Sequence, residues 1–294
     1  MTSDEQHLAV RRAAGLFDFS FMGLYEFDDV GALQELQSRT LSAMSPGHIV
    51  YTLLLAADGA VIIDATVWRF DTQRFGLFAG RRAAYGGRDR SGELAILALQ
   101  GPASGRILAA LVGAGIVCDL RYFHFTQVGD MLIGRIGYSG ELGYELLVPA
   151  AEEARLRAEL VKAGSREGLV ECGWDAANSL RQECGYVLFD REVDGKANPR
   201  ELGLERLVDR QREFGLTRKL VGLEILDEAG DAGLPVAQVT SECFSPVLQK
   251  RIALAFVPPA LTNDARVRAR ERTARIARLP FYDPERRRPR AAPL

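Results

Sequence analysis

The chain has 294 residues, of which 47% are apolar and 26% charged, and its formal net charge is −2. This composition is typical of a globular protein of about two domains, and the near-neutral charge argues against nucleic acid or an anionic membrane as a partner. The N-terminus MTSDEQHLAVRRAAG lacks the apolar segment of a signal peptide. The longest apolar run, Ile107 to Cys118, is too short to span a bilayer. We therefore expect a cytoplasmic protein that does not bind membranes.

The four cysteines are far apart in the sequence and form no CxxC pair. The ligands of a structural zinc ion usually include such closely spaced pairs. We therefore predict no metal site, and we expect reduced thiols, as is usual for cytoplasmic proteins.

The first part of the chain mixes helical and extended patterns. Apolar spacing predicts helices over Asp4 to Ala14 and Val30 to Thr40, with a strand in MGLYEFDD between them. Two β-rich runs flank Ala57-Asp58-Gly59, a turn signal, so HIVYTLLLAADGAVIIDATVWRF is predicted to form a hairpin. Further strands are predicted in RFGLFAG and LAILALQ, followed by one helix from Pro102 to Cys118.

The second part continues this mixture and then changes character. MLIGRIGY and YELLVP predict a strand pair, and helices are predicted over Ala150 to Ala163 and Trp174 to Cys184. Strands and helices without strict β-α-β order favour an α+β fold. After about Arg212, short strands at regular spacing indicate a small barrel or sandwich. We predict an α+β domain over residues 1–212 and a small barrel or sandwich over residues 213–294, with the boundary near Arg210 to Thr217.

A glycine-rich stretch, RIGYSGELGYELLVPA, carries two glutamates, Glu141 and Glu145, just before an apolar strand. Its GYSG segment resembles a nucleophile elbow, but that motif needs glycine two residues after the serine, where Glu141 stands. None of the three histidines lies in a recognisable catalytic context, which argues against a Ser-His-Asp hydrolase. The segment AGRRAAYGGRDRSG lacks the lysine-serine ending of a phosphate loop, so we interpret it as an ordinary loop.

Several charged residues have both a structural and a functional interpretation. Asp64 follows the apolar run AVII, and a carboxylate there lies either on an exposed edge or is held for chemistry. Arg181, in SLRQECG, forms either an ordinary ion pair or a site for a carboxylate ligand, which its guanidinium fork matches. The run Arg286 to Arg290 has no interleaved aromatic residues for base stacking, so we interpret it as a solvated tail without nucleic acid.

Taken together, several segments resemble the aminomethyltransferase family, which includes the T protein of the glycine cleavage system and its relatives. They follow the order of that family and cover nearly the whole chain: LAVRRAAGLFDFSFMG, IVYTLLLAADGAVIIDATVW, ALQGP, GYSGELGYELLVP, SLRQECGYVLFDREVDGKANPRELGL, VTSECFSPVLQKRIALAFV and RLPFYDPERR. The resemblance implies a folate-binding α+β region followed by a small β-barrel. It also implies tetrahydrofolate as the carrier of a one-carbon unit, and hence a transferase that acts on a small-molecule substrate.

The resemblance also implies which residues bind folate. A pterin ring presents an amino group and a ring N–H side by side, and one carboxylate can accept both hydrogen bonds. Glu145 is similar to the pterin-binding residue of the family, whereas Glu141 either assists it or braces the turn. Tyr138 and Tyr51 would pack against the ring. Arg181 matches an arginine near the acidic folate tail.

Asp64 lies where the family has its catalytic aspartate. The resemblance implies that this carboxylate takes a proton or stabilises a developing cation. Several residues depart from the family pattern. Glu242 and Cys243 change VTSGTFSP to VTSECFSP. Phe21 replaces a histidine, Ile63 replaces an acidic residue and Ala79 replaces an asparagine. We expect these changes to make the pocket more apolar and to suit a less polar substrate, such as a methoxy aromatic, a methylated amine or a biosynthetic intermediate.

Two alternatives remain open at this point. The chain lacks the long segment that precedes the AVR block in the family, which disfavours glycine cleavage itself and suggests a partner protein that completes the site. One alternative is a non-catalytic folate-binding protein of the kind that assists iron–sulfur maturation. Such relatives carry KGCYxGQE, whereas this chain has ECGYVLFDRE, with Cys184 before the glycine. The other alternative is a decayed partner subunit, which the retention of Asp64 disfavours.

Overall fold

The computed structural model of the protein describes residues 1–209 and 212–294. Two open sheets and one closed barrel organise the chain. The helices are α1 (Ser3–Arg12), α2 (Val30–Leu36), α3 (Ser104–Val112), α4 (Ala114–Asp119), α5 (Glu153–Gly164) and α6 (Trp174–Glu183). The strands of the two open sheets are β1 (Ala14–Asp18), β2 (Gly23–Phe27), β3 (Ile49–Leu55), β4 (Val61–Arg69), β5 (Phe75–Ala79), β6 (Arg88–Asp89), β7 (Leu94–Gln100), β8 (Phe125–Val128), β9 (Met131–Gly134), β10 (Gly143–Pro149) and β11 (Leu169–Glu171). The barrel strands are β12 (Lys219–Ala229), β13 (Val236–Ser245), β14 (Lys250–Val257), β15 (Arg266–Ala269) and β16 (Arg272–Ala277).

The segments with strong local sequence patterns form the helices and strands that these patterns predict. β3 and β4 form the hairpin about the Ala57-Asp58-Gly59 turn, and β9 pairs with β10. The prediction of one long helix from Pro102 to Cys118 is wrong in one respect. Gly113 adopts a φ of +92° and separates two helices, α3 and α4. The first helix also ends earlier than predicted, and Ala14 begins a strand instead. None of the helices within residues 1–209 and 212–294 has both the length and the apolar character needed to cross a membrane.

The first sheet has the strand order β11-β1-β7-β10-β9-β8, and the second has the order β3-β4-β5-β2-β6. Side chains alternate between the two faces of each strand. In β10, Tyr144 and Leu146 pack towards the helices α3 and α5, whereas Leu147 points to the other side, into a cluster with Trp68 and Phe78 of the second sheet. This cluster therefore lies between the two sheets.

One close contact fixes the approach of the two sheets. Gly134 of β9 has so little room that an added Cβ would lie 2.2 Å from the ring of Trp68 on β4. Gly134 is also the register partner of Glu145 on β10. Since Asp64 is four residues before Trp68 on β4, both carboxylates lie on strand faces that look into the space between the sheets.

The barrel closes in the order β12-β14-β13-β15-β16 around small and branched apolar side chains. Its first strand begins at Lys219. The domain boundary that we place near Arg210 to Thr217 lies partly outside the described residues, because residues 210 and 211 are not described, and it stays a prediction.

The backbone of the arginine-rich C-terminal segment packs against the protein, although Arg287, Arg288 and Arg290 are exposed; the interpretation as a solvated tail is therefore wrong for the backbone. Pro289 is buried, and the Arg135 guanidinium donates to the Ala291 carbonyl at 2.6 Å. The composition of the segment did not predict this, because its contacts are made by the proline and by backbone atoms.

Candidate functional site

Glu145 is a buried carboxylate without a protein partner. Its exposed fraction is 8%, and within the described part of the chain its side chain has no hydrogen bond or ion pair. Burial raises the pKa of this carboxyl group from 4.5 to about 7, because the charged form loses its hydration. A folded protein rarely leaves such a group uncompensated. Glu145 is therefore a strong candidate for binding a ligand with neighbouring N–H donors.

Asp64 forms a hydrogen-bonded pair with a tyrosine across the β3–β4 hairpin. The Tyr51 hydroxyl donates to Asp64 Oδ2 at 2.9 Å. Burial raises the pKa of Asp64 to about 6, although the Tyr51 hydrogen bond and the charge of Arg181 lower it. Burial and the neighbouring Asp64 also hold the pKa of Tyr51 well above its usual value. A carboxylate poised near neutral pH is suited to accepting and returning a proton.

Tyr138 stacks on Tyr186, with ring centroids 5.9 Å apart and an interplanar angle of 27°. Its hydroxyl donates to the Val187 carbonyl at 2.6 Å. Burial raises the pKa of Tyr138, and the charge of Asp64 raises it further against the opposing effect of Arg181. Tyr186 also links this pair to Arg181, whose Nη1 donates to the Tyr186 carbonyl.

Arg181 is 1% exposed and is held by the protein itself. Its Nη1 donates to Glu192 Oε2 at 2.7 Å and to the Tyr186 carbonyl at 3.0 Å. Its Nη2 donates to Ser241 Oγ at 2.6 Å, and its Nε donates to Asn178 Oδ1 at 2.9 Å. Four of its five N–H donors therefore have protein acceptors. Its predicted place at the folate tail stays a prediction, and these contacts favour a positioning role.

Glu192 completes this network and joins it to the barrel. Its Oε1 accepts from Thr240 Oγ1 at 2.7 Å and from Ser241 Oγ at 2.6 Å, both on β13. Its Oε2 accepts from the Leu188 amide at 3.0 Å as well as from Arg181. We call residues 186–188 the strap. Side chains of this region make a hydrogen bond to the backbone of each of its three residues, which holds the strap in place.

Glu141 is engaged by other parts of the protein. Arg11 Nη1 lies 3.0 Å from Glu141 Oε1, and the Tyr282 hydroxyl donates to the same oxygen at 2.8 Å. These contacts link the glycine-rich turn to α1 and to the C-terminal segment. They agree with bracing of the turn, and the binding of folate by Glu141 stays a prediction.

A cavity of about 400 Å³ opens beside this region and has mainly apolar walls, many of them aromatic. Phe17, Phe19, Phe21 and Trp174 contribute to the walls, together with Leu188 of the strap. Asp64 and Glu145 are not among its lining residues. The cavity is nonetheless close to Glu145, because Phe17 pairs with Ala98 and Ala98 pairs with Glu145 across adjacent strands.

The structure corrects the expectation that three substitutions make the pocket more apolar. Ile63 and Ala79 are fully buried in the cluster on the opposite face of the second sheet, away from Asp64. The reason is strand alternation, since neighbours in a strand such as Ile63 and Asp64 point to opposite sides. Phe21 does line the cavity. Any change in substrate preference therefore depends on Phe21 among these three.

Sequence reasoning missed Glu192, Arg191 and Trp174. Glu192 lies in FDREVD, where nothing marks it as buried, and its partners on β13 are about fifty residues away in the chain. An isolated tryptophan at a helix start, such as Trp174, resembles a core residue in sequence although it is exposed here. Arg191 could have been singled out in the sequence only if the ion pairs of the neighbouring charged residues had been known.

Comparisons with known proteins agree with this architecture. The chain matches the family model of the GCVT N-terminal domain over residues 1–212 and that of the glycine cleavage T-protein C-terminal barrel domain over residues 218–283. It is 35% identical to an aminomethyltransferase of Symbiobacterium thermophilum, covering 96% of this chain and 90% of the relative. It is 36% identical to that of Methylococcus capsulatus, covering 90% and 84%. A crystal structure of glycine cleavage system aminomethyltransferase T from Bartonella henselae has the same fold, with a TM-score of 0.82, 24% identity and coverage of 96% and 90%.

Proposed function

Because the chain belongs to the aminomethyltransferase family, whose members use tetrahydrofolate, we propose that it transfers a one-carbon unit between a small substrate and tetrahydrofolate, with Asp64 as the catalytic carboxylate. The unit is an aminomethyl group in the named relatives. The observation that carries the proposal is a pair of carboxylates facing one intersheet space: Glu145 is buried and has no hydrogen bond or ion pair within the described residues, and Asp64 is held by Tyr51.

The residues present fit the folate group. Glu145 offers two acceptor oxygens that no donor in residues 1–209 and 212–294 occupies, and the pterin edge offers an amino group and a ring N–H. Hydrogen bonds from these donors would stabilise the charged form of Glu145, which burial alone disfavours. When bound, tetrahydrofolate supplies the nitrogen atoms that carry the one-carbon unit.

The roles of the remaining residues follow from their contacts. Asp64, with a pKa of about 6, is largely ionised at neutral pH; it would accept a proton as the one-carbon unit is transferred and return that proton to the departing amine. Tyr51 holds its Oδ2 in place, and Tyr138 stacks on Tyr186. Arg181 and Glu192 hold the strap that receives the Tyr138 hydroxyl.

The non-catalytic alternative depends on Cys184, and its surroundings disfavour that role. The thiol is buried and donates to the Ser139 carbonyl at 3.3 Å. Burial raises its pKa to about 11, so little thiolate forms at neutral pH. The partner protein that the sequence suggests stays a prediction.

Two variants test the separate roles proposed for the two carboxylates, catalysis by Asp64 and folate binding by Glu145. Tetrahydrofolate binding is measured by calorimetry, and turnover is measured as tetrahydrofolate-dependent ammonia release from an aminomethyl donor. Asp64→Asn is expected to abolish turnover while sparing affinity, and Glu145→Ala is expected to weaken binding at least tenfold. Asp130→Asn, at an exposed position, is the control for loss of a carboxylate. An Asp64→Asn variant with full turnover would remove the role proposed for Asp64.

A further inference from the structure

Two of the three histidines face each other where the edges of the two open sheets meet. His48 immediately precedes β3, the edge strand of the second sheet, and His124 immediately precedes β8, the edge strand of the first sheet. Ile49 and Phe125, the residues that follow them, each donate the backbone amide to a carbonyl of the opposite segment. The histidines therefore form a non-hydrogen-bonded antiparallel pair, the position at which opposite side chains come closest. Their ring centroids are 4.3 Å apart, at an interplanar angle of 70°.

The hydrogen bonds of the two rings are made by Nδ1 and leave Nε2 available. His124 Nδ1 lies 3.1 Å from the Tyr122 carbonyl, which can only accept, so Nδ1 carries the proton and Nε2 has a free lone pair. The Ser45 amide donates to His48 Nδ1 over a long distance of 3.4 Å. Neither Nε2 has a hydrogen-bond partner within residues 1–209 and 212–294. Moving the His48 proton from Nε2 to Nδ1 would cost only this long bond and would free a second lone pair.

The surroundings of the pair favour neutral imidazoles that a small ion can reach. Both histidines are half-buried. Burial lowers the pKa of His48, and the neighbouring His124 and Arg121 lower it further, because each would stand close to a second positive charge. A metal ion binds the neutral imidazole, so a lowered pKa reduces competition from protons. The Nδ1–H of His124, bonded to a carbonyl, is also the arrangement that orients metal-binding histidines in proteins.

We propose that His48 and His124 bind one divalent transition-metal ion, such as Zn²⁺, Ni²⁺ or Cu²⁺, through their Nε2 atoms. Small rotations of the two rings would place both nitrogens at the usual distance of about 2.0–2.1 Å from one ion. Among the described residues, no third His, Cys, Asp or Glu joins the pair in a cluster that could hold a metal, so water would complete the coordination. Two imidazoles without a carboxylate favour these ions over Mg²⁺ and Ca²⁺, which prefer oxygen ligands.

A bound ion would tie the two sheets together at their edges. The bridge at His48 and His124 joins β3 to β8, and β3 carries Tyr51, the hydrogen-bond partner of Asp64. An ion held by both imidazoles binds the folded chain only, since the two histidines are 76 positions apart in the sequence and come together through folding. The site is independent of the folate proposal, and the ion is expected to raise the stability of the protein.

The test uses the full-length protein with Zn²⁺ in calorimetry and with Cu²⁺ in electron paramagnetic resonance. We expect saturable binding of one Zn²⁺ per chain, weakened about tenfold or more in His48→Gln and in His124→Gln. Zn²⁺ should raise the midpoint of thermal unfolding of the parent and leave that of either variant unchanged. Cys118→Ser, which removes the exposed thiol, is the control and should bind Zn²⁺ as the parent does. Mg²⁺ should not bind at the pair.

The Cu²⁺ spectrum of the parent decides the question without relying on the folding of any variant. Hyperfine coupling to two imidazole nitrogens would support the pair as the site, whereas coupling to one nitrogen or to none would overturn the inference. Absence of saturable Zn²⁺ binding by the parent would overturn it as well, as would unchanged affinity in both histidine variants. Zn²⁺ binding that is lost in Cys118→Ser but kept in the histidine variants would assign the ion to the thiol instead.

Discussion

Replacing Glu145 by glutamine removes a buried charge while keeping the shape of the side chain. Burial raises the pKa of Glu145 from 4.5 to about 7, and each pKa unit corresponds to about 1.4 kcal/mol, so the ionised group costs about 3 kcal/mol of folding free energy. Between pH 4.5 and pH 7 the folded state binds more protons at this site than the unfolded state does. The stability contributed by the protonated group is therefore fully present below pH 4.5 and is lost as the pH rises through 7.

The Glu145→Gln variant lacks this loss, so it should be more stable than the parent at pH 8 by up to about 3 kcal/mol and nearly equal to it at pH 4. Urea unfolding at a series of pH values measures the difference, with Glu271→Gln, at an exposed turn, as the control. The same variant should bind tetrahydrofolate more weakly, as expected when a binding group is kept at the expense of stability. A variant that is less stable than the parent at pH 8 would refute this reasoning.

Three further outcomes follow from contacts around the site. Tyr51→Phe removes a hydrogen bond that lowers the pKa of Asp64, so the acidic limb of the pH profile of kcat/KM should move to higher pH. An unchanged limb would show that this hydrogen bond does not affect catalysis. Glu192→Ala leaves its arginine partner buried and unpaired, and urea unfolding should show a loss of about 3–5 kcal/mol. Gly134→Ala forces a Cβ against the ring of Trp68 and should cost about 1–3 kcal/mol in thermal unfolding, whereas unaltered stability would show that the sheets separate easily.

Local patterns in the sequence were sufficient to predict most elements of the fold. The β3–β4 hairpin has β-rich runs around a strong turn, and β10 follows a glycine-rich turn, so each is determined by neighbouring residues. The mispredicted helix before Cys118 shows the limit of periodicity, because the apolar spacing continues through Gly113 whereas the backbone there does not remain helical. The α+β class followed from the mixed order of strands and helices, whereas strand spacing left a barrel or a sandwich open and the family resemblance decided for the barrel.

The site was predicted unevenly, for reasons that are also physical. Glu145 and Asp64 are polar residues within apolar strands, and this conflict is visible in the sequence. The contacts of Arg181 with Glu192 and Ser241 join different elements of the fold, and no local pattern in the sequence encodes them. Ile63 was assigned to the pocket because it is adjacent to Asp64 in sequence, although adjacent residues in a strand face opposite sides.

The hydroxyl groups of Thr240 and Ser241 belong to the barrel, yet they satisfy a carboxylate of the preceding domain. A barrel exchanged between two relatives would leave Glu192 short of donors unless it carried hydroxyl groups at both positions. Substitution at either hydroxyl should therefore be tolerated only together with a change at Glu192 or Arg181. The two domains are thus constrained to evolve as one unit, although two separate family models describe them.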